Sequence, residues 1–336
     1  MPRRRRRSRR RRVVRPAGAC DMSLILRLAA LVLAMVAAAP ADAACTIGSG
    51  NAAFGTGSSY AVRQNGIAAT STGAGLRCNG SIITLLGGNS ARATMTSANG
   101  FQLKQGSDSI AYTVSADPNG AYPFTQGGTI DYFNPQLLSL LTILNGSSFA
   151  PQIHARLAGG ANVAAGTYTD TLTVQWAYTI CYGVNLSGIC ILGESGTGTS
   201  TIQVAITVTK DCRIDAPALS FGTAALVSQF AEVTQTLRAD CTKDTAFTVS
   251  LSAGGNRSAR PWRAMRDAGG NTLRYNLYRA DGSTIWDESN PLTSTTPGTG
   301  ALTPAIPFTY RARIDSSQAT PAAGAYSDIV SVLVSF

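Results

Sequence analysis

The chain has 336 residues, enough for two domains, and only 14% of them are charged. Its net charge of +10 is concentrated at the start. Residues 1–44 hold eleven Arg and two Asp, which leaves 17 basic and 16 acidic residues in the remainder. A nearly neutral body excludes the electrostatic footprint of a nucleic-acid-binding protein, so we expect no nucleic acid partner.

The leader, residues 1–44, has two parts. The arginine run at 3–12 is either a nucleic-acid arm or an upstream start-site artefact, and we favour the artefact because Met22 opens a complete signal by itself. Residues 22–44 combine an early Arg, an apolar run and small residues at A-x-A spacing, which is typical of a secretory signal peptide. A transmembrane segment is a weaker interpretation because the run is short. We expect cleavage after Ala43 or Ala44 and export of the rest.

One pattern occurs twice in the exported part. A cysteine is followed nine residues later by Phe-Gly, a second cysteine closes the segment, and each copy ends on a similar hexapeptide, AGTYTD at 165–170 and AGAYSD at 323–328. The two sets are Cys45, Phe54-Gly55 and Cys78, and Cys212, Phe221-Gly222 and Cys241. The repeat predicts two homologous domains, 45–209 and 210–336.

Six cysteines remain after the leader, and an even number in an exported chain indicates disulfides. The repeat predicts their pairing. The expected bridges are Cys45–Cys78, Cys212–Cys241 and, as a local clip, Cys181–Cys190.

The secondary-structure signal has a period of two residues, which is typical of strands. Residues 201–209 alternate, and at the carboxyl end one face carries Val330, Val332, Val334 and Phe336. Turn clusters separate such runs. Only residues 135–144 have a helical pattern, and the glycine-rich residues 193–198 are predicted to be a loop. The expected fold class is all-β, with two antiparallel sandwiches in tandem.

No catalytic or metal-binding constellation stands out. The one histidine, His154, lies in an apolar stretch typical of a structural residue, and neither a G-x-S-x-G motif nor a C-x-x-C metal pair occurs. A cluster of arginines is either a binding patch or a solvent face opposite Leu273, and we favour the solvent face. Its members are Arg257, Arg260, Arg263, Arg266, Arg274 and Arg279. We expect neither enzymatic activity nor a cofactor.

The second domain carries a specific series of motifs in order. They are Cys212, Phe221-Gly222, Cys241, Arg263-Ala-Met265, the LRYNLY segment at 273–278, Ile285-Trp286 and AGAYSD at 323–328. This series resembles the spore coat protein U domain family, which includes subunits of archaic (Csu-type) chaperone–usher pili. The first domain keeps only the two ends of the pattern, because its middle has no R-x-M or L-x-Y-x-L-Y segment.

The resemblance implies immunoglobulin-like sandwiches in which a pilin lacks its last strand. A neighbouring subunit's strand fills the groove, and a periplasmic chaperone fills it before delivery to the outer-membrane usher. After the hexapeptide the first domain continues for 39 residues, but the second for only 8. We therefore expect the second sandwich to be incomplete, with Val330, Val332, Val334 and Phe336 contacting the donor strand or chaperone.

The predicted mature start near Cys45 leaves no donor segment, so we expect the chain to be the tip subunit of a pilus, exported through the periplasm to the cell surface. Its first domain is then the candidate adhesin for apolar or abiotic surfaces, supporting biofilm formation. Candidate adhesive stretches are 137–144 and 184–192, whereas 82–86 reads better as a core strand. The proposed contact residues are Leu137, Leu138, Leu140, Leu141, Ile143, Leu144, Val184, Leu186, Ile189 and Ile191.

Two other classes of protein remain open at this point. A secreted coat or matrix protein would share the domain without the pilus, and neighbouring genes for a chaperone and an usher would distinguish the two. A glycan-binding module would need clustered aromatic side chains, but Trp176, Trp262 and Trp286 are scattered along the sequence.

Overall fold

The computed structural model describes residues 45–79, 88–141, 148–181, 185–186, 189–190, 193–256 and 261–336. The fold is all-β, with two immunoglobulin-like sandwiches in tandem. We call β1–β14 the first sandwich and β15–β22 the second sandwich. Among the described residues, no helix has the length and hydrophobicity needed to cross a membrane.

The first sandwich contains β1 (Cys45–Ile47), β2 (Gly50–Ser58), α1 (Ser59–Arg63), β3 (Thr70–Gly73), β4 (Leu76–Asn79), β5 (Ser90–Ser97), β6 (Gln102–Gln105), β7 (Asp108–Ser115), β8 (Gly128–Asp131), α2 (Pro135–Leu140), β9 (Ser148–Phe149), β10 (Gln152–Leu157), β11 (Gly166–Cys181), β12 (Asn185–Leu186), β13 (Ile189–Cys190) and β14 (Gly193–Thr209). One sheet has the order β1-β4-β9. The larger sheet has the order β2-β14-β11-β6-β7-β10-β3, with β5 also paired to β11. Both sheets contribute to one core around the fully buried side chains of Phe149, Leu172 and Trp176.

The second sandwich contains β15 (Cys212–Asp215), a 3₁₀ turn (Val227–Gln229), β16 (Val233–Cys241), β17 (Thr248–Leu251), β18 (Arg263–Arg266), β19 (Thr272–Arg279), β20 (Leu292–Thr293), β21 (Ile306–Ile314) and β22 (Val332–Ser335). A five-stranded sheet has the order β15-β16-β21-β19-β18, and a three-stranded sheet has the order β20-β17-β22. Trp286 is fully buried in their common core, where its indole N–H donates to the Val249 carbonyl at 2.9 Å. Burial of this ring therefore leaves no unpaired donor.

The structure contains both long disulfides that the repeat predicts. Cys45 pairs with Cys78 across β1 and β4, and Cys212 pairs with Cys241 across β15 and β16. Cys181 is also disulfide-bonded. Its pairing with Cys190 stays a prediction, because the side chain of Cys190 lies outside the described part.

Two local expectations were wrong. A second short helix, α1, exists besides α2; the side chain of Ser58 caps it by accepting a hydrogen bond from the Ala61 N–H at 3.2 Å. The glycine-rich residues 193–198 are not a loop but the start of β14. They pair residue by residue with β11, beginning with Gly193 opposite Cys181, so tertiary pairing overrides their weak strand propensity.

The two sandwiches meet directly across the short connection between Thr209 and Cys212. We call this contact the joint. The Tyr60 hydroxyl donates to the Asp240 carbonyl at 3.1 Å, the Lys243 ammonium binds Asp108 at 2.5 Å, and the Arg213 guanidinium lies 4.8 Å from the centre of the Tyr60 ring. These buried and half-buried polar contacts fix one sandwich against the other.

Candidate functional site

The free edge of β22 is the most unusual feature of the second sandwich. β22 pairs with β17 on one side, and within the described residues no strand pairs with its other side. Its side chains Val332 and Val334, with the preceding Val330, are only half-buried against the core. The edge therefore presents unpaired backbone groups next to apolar side chains.

A groove runs along this edge, between the chain segments 216–227 and 320–332. It consists of three adjoining cavities of about 400, 420 and 230 Å³, which share lining residues with one another. The cavity of about 400 Å³ has an apolar floor that includes Leu237, Leu251 and Leu277. We call this feature the acceptor groove. Its course beside β22 and its apolar floor suit an extended peptide strand.

The first sandwich shows what occupies the same position there. Its strand β14 lies between β11, to which it is antiparallel, and β2, to which it is parallel. The repeat aligns β11 with the segment containing β22, and aligns β2 with the segment containing Phe221-Gly222. The acceptor groove is therefore the place where β14 would lie, and it has no equivalent strand among the described residues of the second sandwich.

The inward side chains of β14 fill the seam of the first sandwich. They alternate along the strand and are at most 2% exposed: Ile202, Val204, Ile206 and Val208. A strand that fills the acceptor groove in the same way runs antiparallel to β22 and carries apolar residues at alternate positions.

A hydrogen-bonded carboxylate lies at one end of the groove. Asp328 precedes β22 and accepts a hydrogen bond from the Tyr275 hydroxyl at 2.7 Å and from the backbone N–H groups of Gly255 and Ile329, both at 2.9 Å. Burial, and secondarily the hydrogen bond and charge of Asp328, raise the pKa of Tyr275 above its usual value. The hydroxyl therefore stays protonated and donates.

The same arrangement occurs in the first sandwich, where Asp170 occupies the equivalent place in its hexapeptide. Its carboxylate accepts from the hydroxyls of Tyr112 and Ser97, both at 2.6 Å. Asp170 is 2% exposed and lies on a strand that is paired with β14, whereas Asp328 lines the open groove. The two sandwiches thus share the tyrosine–aspartate hydrogen bond. They differ in the strand that lies next to it, which is β14 in the first sandwich and is not found among the described residues of the second.

Arg263 lies behind the groove and is 2% exposed, so its expected place on a solvent face was wrong. Its guanidinium donates to the Leu251 carbonyl at 3.3 Å, the Ser252 carbonyl at 2.8 Å, the Trp286 carbonyl at 2.8 Å and the side-chain oxygen of Asn276 at 2.6 Å. Burial lowers the pKa of Arg263. The reason it is buried is this set of four acceptors, which the sequence pattern does not reveal.

The residues predicted to contact a partner strand have different positions. Val330, Val332 and Val334 are half-buried beside the groove, as a contact role requires, but Phe336 is 55% exposed with the Lys210 ammonium 5.5 Å from its ring. Sequence reasoning missed the opposite wall at 216–224. The repeated Phe-Gly pair, which lies in that wall, was the signal that could have found it.

The predicted adhesive residues are only partly described. Leu137 is fully buried in the first core and is removed from the candidate surface, Leu140 is 46% exposed, and Leu138 and Leu141 are half-buried. Ile143, Leu144, Val184 and Ile191 lie outside the described residues, as do residues 82–86. The backbones of Leu186 and Ile189 pair with each other in β12 and β13.

The described ends of these stretches lie at one end of the first sandwich. Asn79 precedes the stretch 82–86 in sequence, and it pairs with Ser148, which follows the stretch 137–144. Asn89 follows the stretch 82–86, and its side chain accepts a hydrogen bond from the Cys181 N–H at 2.7 Å. Cys181 in turn precedes the stretch 184–192, so this contact lies at the same end of the sandwich. From the joint, β11 extends for 16 residues to this end, a distance of roughly 50 Å.

Comparisons with known proteins agree with this geometry. The fold is similar to the CsuC-CsuE chaperone-tip adhesion subunit pre-assembly complex from archaic chaperone-usher Csu pili of Acinetobacter baumannii, with a TM-score of 0.60, 24% identity, and coverage of 87% of this chain and 100% of that chain. The CupB6 tip adhesin from Pseudomonas aeruginosa gives a TM-score of only 0.29 at 10% identity, covering 80% of this chain and 86% of that chain. That value is too low to support any inference.

A search of curated protein sequences finds no significant match. The sequence profile of the Spore Coat Protein U domain, in contrast, matches twice, at residues 31–175 and 198–333, and so covers most of the chain. With two matches to this profile and the two sandwiches described above, the chain belongs to the Spore Coat Protein U domain family.

Proposed function

We propose that the chain is a non-enzymatic subunit of a chaperone–usher pilus and that its acceptor groove receives a strand from another protein. The observation that carries this proposal is the open seam in the second sandwich at the position that β14 fills in the first. A periplasmic chaperone occupies the groove before assembly, an outer-membrane usher delivers the subunit, and an adjacent pilin occupies the groove in the fibre. Each partner completes the sheet through backbone hydrogen bonds and alternating apolar side chains.

The full chain offers its own probe for this function. A copy of residues 199–209, appended after Phe336 through a flexible Gly/Ser linker, carries the inward pattern of β14. Filling the groove buries four apolar side chains, so we expect the thermal midpoint of the chain to rise by about 10 °C or more. The measurement is differential scanning calorimetry of the extended and unextended chains.

The matched control is the same extension with serine at its copies of Ile202, Val204, Ile206 and Val208. It keeps the length and the backbone but loses the apolar pattern. Equal midpoints for the two extended chains would show that the groove does not accept a strand in this way.

We further propose that the first sandwich is the outward, adhesive end of a tip subunit and that it attaches to apolar or abiotic surfaces, promoting biofilm formation. The described residues that flank the three apolar stretches in sequence, Asn79, Ser148, Asn89 and Cys181, lie at the end of the first sandwich away from the joint, which supports this role. In this arrangement the second sandwich connects to the fibre and the first is displayed at the cell surface. The similarity of the fold to that of the CsuC-CsuE chaperone-tip adhesion subunit complex agrees with it.

The test of adhesion uses two leucines with similar exposure. Leu140 is 46% exposed in α2, and Leu302 is 40% exposed in the second sandwich. Replacement of exposed leucines leaves stability within about 0.5 kcal/mol. We expect Leu140→Ser to lower attachment of piliated cells to polystyrene by several-fold and Leu302→Ser to leave it unchanged, with equal amounts of pili on the cells. Equal attachment by both variants would exclude α2 from the adhesive surface.

A further inference from the structure

The open acceptor groove leaves its edge strand, β22, with little to hold it in place. Within the part of the chain that the structure describes, β22 has a ladder on one side only, with four residue pairs to β17. An edge strand held by few hydrogen bonds opens locally at low free-energy cost. A partner strand then has to order β22 as well as itself, which weakens and slows binding.

The second sandwich contains a support at the start of this strand. The Asp328 carboxylate accepts hydrogen bonds from the N–H groups of Gly255, Asn256 and Ile329, besides the Tyr275 hydroxyl. The Gly255 N–H also donates to the Ile329 carbonyl. One charged group thus fixes the last residues before β22 to the adjacent turn and to β19.

A second support holds the strand on which β22 rests. Ser252 follows β17; its backbone N–H donates to the Ser331 carbonyl, and its hydroxyl accepts from the Ser331 N–H, both at 2.9 Å. The Arg263 guanidinium in turn binds the carbonyls of Leu251 and Ser252. This buried cation therefore fixes the backbone that carries the edge strand.

The first sandwich has an equivalent of one of these two supports but not of the other. The tyrosine–aspartate pair is present in both sandwiches, as Tyr112–Asp170 and Tyr275–Asp328. The equivalent of Arg263 is Phe101, which packs edge-on against Tyr112 with ring centres 6.0 Å apart. The buried guanidinium thus belongs to the sandwich whose seam is open.

We propose that Arg263, Tyr275 and Asp328 are positioning residues that hold β22 in its strand-accepting conformation before a partner strand arrives. The proposal rests on the proposed function of the groove, since it concerns how the groove is kept ready. It assigns a role to the R-x-M motif and to the aspartate of the second hexapeptide, which the fold alone leaves unexplained. The supports act on the empty groove, so their effect is measurable without any partner.

The test is hydrogen exchange of the full chain, followed at the backbone amides of residues 329–335. Tyr275→Phe removes the hydroxyl but keeps the ring, and we expect it to speed exchange of these amides about tenfold. The matched control is Tyr112→Phe, which removes the equivalent hydroxyl under the covered seam and leaves these amides unchanged. Equal exchange rates at 329–335 in Tyr275→Phe and the unaltered chain would overturn the proposal.

A second pair of variants tests the guanidinium. Arg263→Lys keeps the charge but cannot reach four acceptors, whereas Arg266→Lys alters an exposed residue of the same strand. We expect faster exchange at 329–335 for Arg263→Lys alone. If Arg263→Lys does not fold, the milder Tyr275→Phe variant still decides the outcome.

A synthetic peptide of residues 199–209 separates this proposal from the proposed function. We expect the peptide to associate several-fold more slowly with Tyr275→Phe than with the unaltered chain, because β22 has to be ordered on binding. Failure of the peptide to bind the unaltered chain would count against the groove's function. Binding at equal rates to both chains, with equal exchange at 329–335, would instead overturn the positioning role alone.

Discussion

The first and second sandwiches place a tyrosine and an aspartate at the same position, yet one seam is closed and the other is open. In the first, β14 pairs with the strand that carries Asp170 and fills the seam with four buried side chains. In the second, Asp328 faces the acceptor groove, where it lines the cavity of about 400 Å³. This difference indicates that the second sandwich keeps its core and its tyrosine–aspartate pair without a strand equivalent to β14 among its described residues. Such a sandwich can stay folded until a partner strand binds.

The largest expected effect comes from opening the closed seam. Ile202 is fully buried, and Ile202→Asp places a charge in the first core, so we expect a loss of about 4 kcal/mol or more in the free energy of unfolding. Gln203→Asp, on the exposed face of the same strand, is the control and is expected to change it by less than about 0.5 kcal/mol. Denaturant titration measures both. A small loss for Ile202→Asp would mean that β14 is not needed to close the first sandwich.

The two long disulfides can be compared at similar loop size, since they close separations of 33 and 29 residues. Chain entropy alone predicts a similar loss of roughly 3–4 kcal/mol when either bridge is replaced by two serines. Thermal unfolding of the Cys45→Ser/Cys78→Ser and Cys212→Ser/Cys241→Ser chains checks this. A much larger loss for the second pair would show that the open sandwich depends more on its bridge than chain entropy explains.

The joint gives a smaller effect that depends on pH. Burial raises the pKa of Asp108, but hydrogen bonds from Lys243 and the Ala164 N–H, with the charge of Lys243, outweigh it, so the pKa lies below its usual 3.8. A carboxylate with a lowered pKa stabilises the fold above its usual pKa, and this contribution is lost as the pH falls through the folded value. We therefore expect the joint to weaken below about pH 4.

Lys243→Ala tests the same pair directly. With Asp108 mostly buried and Lys243 about one-third exposed, we expect a loss of about 1–2 kcal/mol at pH 7 and a smaller pH dependence between pH 5 and pH 2. Calorimetry at several pH values measures both quantities. An unchanged pH dependence would show that Asp108 gains its stability from the backbone alone.

The smallest effect concerns Arg213, whose guanidinium lies over the Tyr60 ring at the joint. Arg213→Ala removes this cation–π contact, and we expect a loss of about 0.5–1 kcal/mol. Arg238→Ala, on β16 with its side chain exposed, is the matched surface control. Equal midpoints for the two variants in thermal unfolding would show that Arg213 adds nothing to the joint.

Much of the framework could be predicted from local signals. The spacing of Cys45 and Cys78, repeated at Cys212 and Cys241, predicted the two long bridges, and the alternation of Val330, Val332 and Val334 predicted a strand edge. These features were predictable because each depends on neighbours in sequence or on a repeat. The alternation of residues 201–209 likewise predicted the strand that closes the first seam.

Other features depend on partners that are distant in sequence. Arg263 looked like a surface residue because its acceptors are distant from its own strand: the Leu251 carbonyl belongs to β17, and the Trp286 carbonyl belongs to the connection between β19 and β20. Residues 193–198 looked like a loop because glycine is a weak strand former, and only the ladder with β11 makes them a strand. Leu137 shares an apolar run with Leu140, but only the fold decides which of them is buried.

The long strand β14 has a mechanical consequence. It runs for 17 residues, roughly 55 Å, from Gly193 beside the outer end to Thr209 at the joint, and Cys212 follows almost at once. An extended backbone has almost no slack. A pulling force applied between residues 193 and 212 is therefore carried by the covalent bonds of this one strand. The other strands of the first sandwich, which pack against it, carry little of that force.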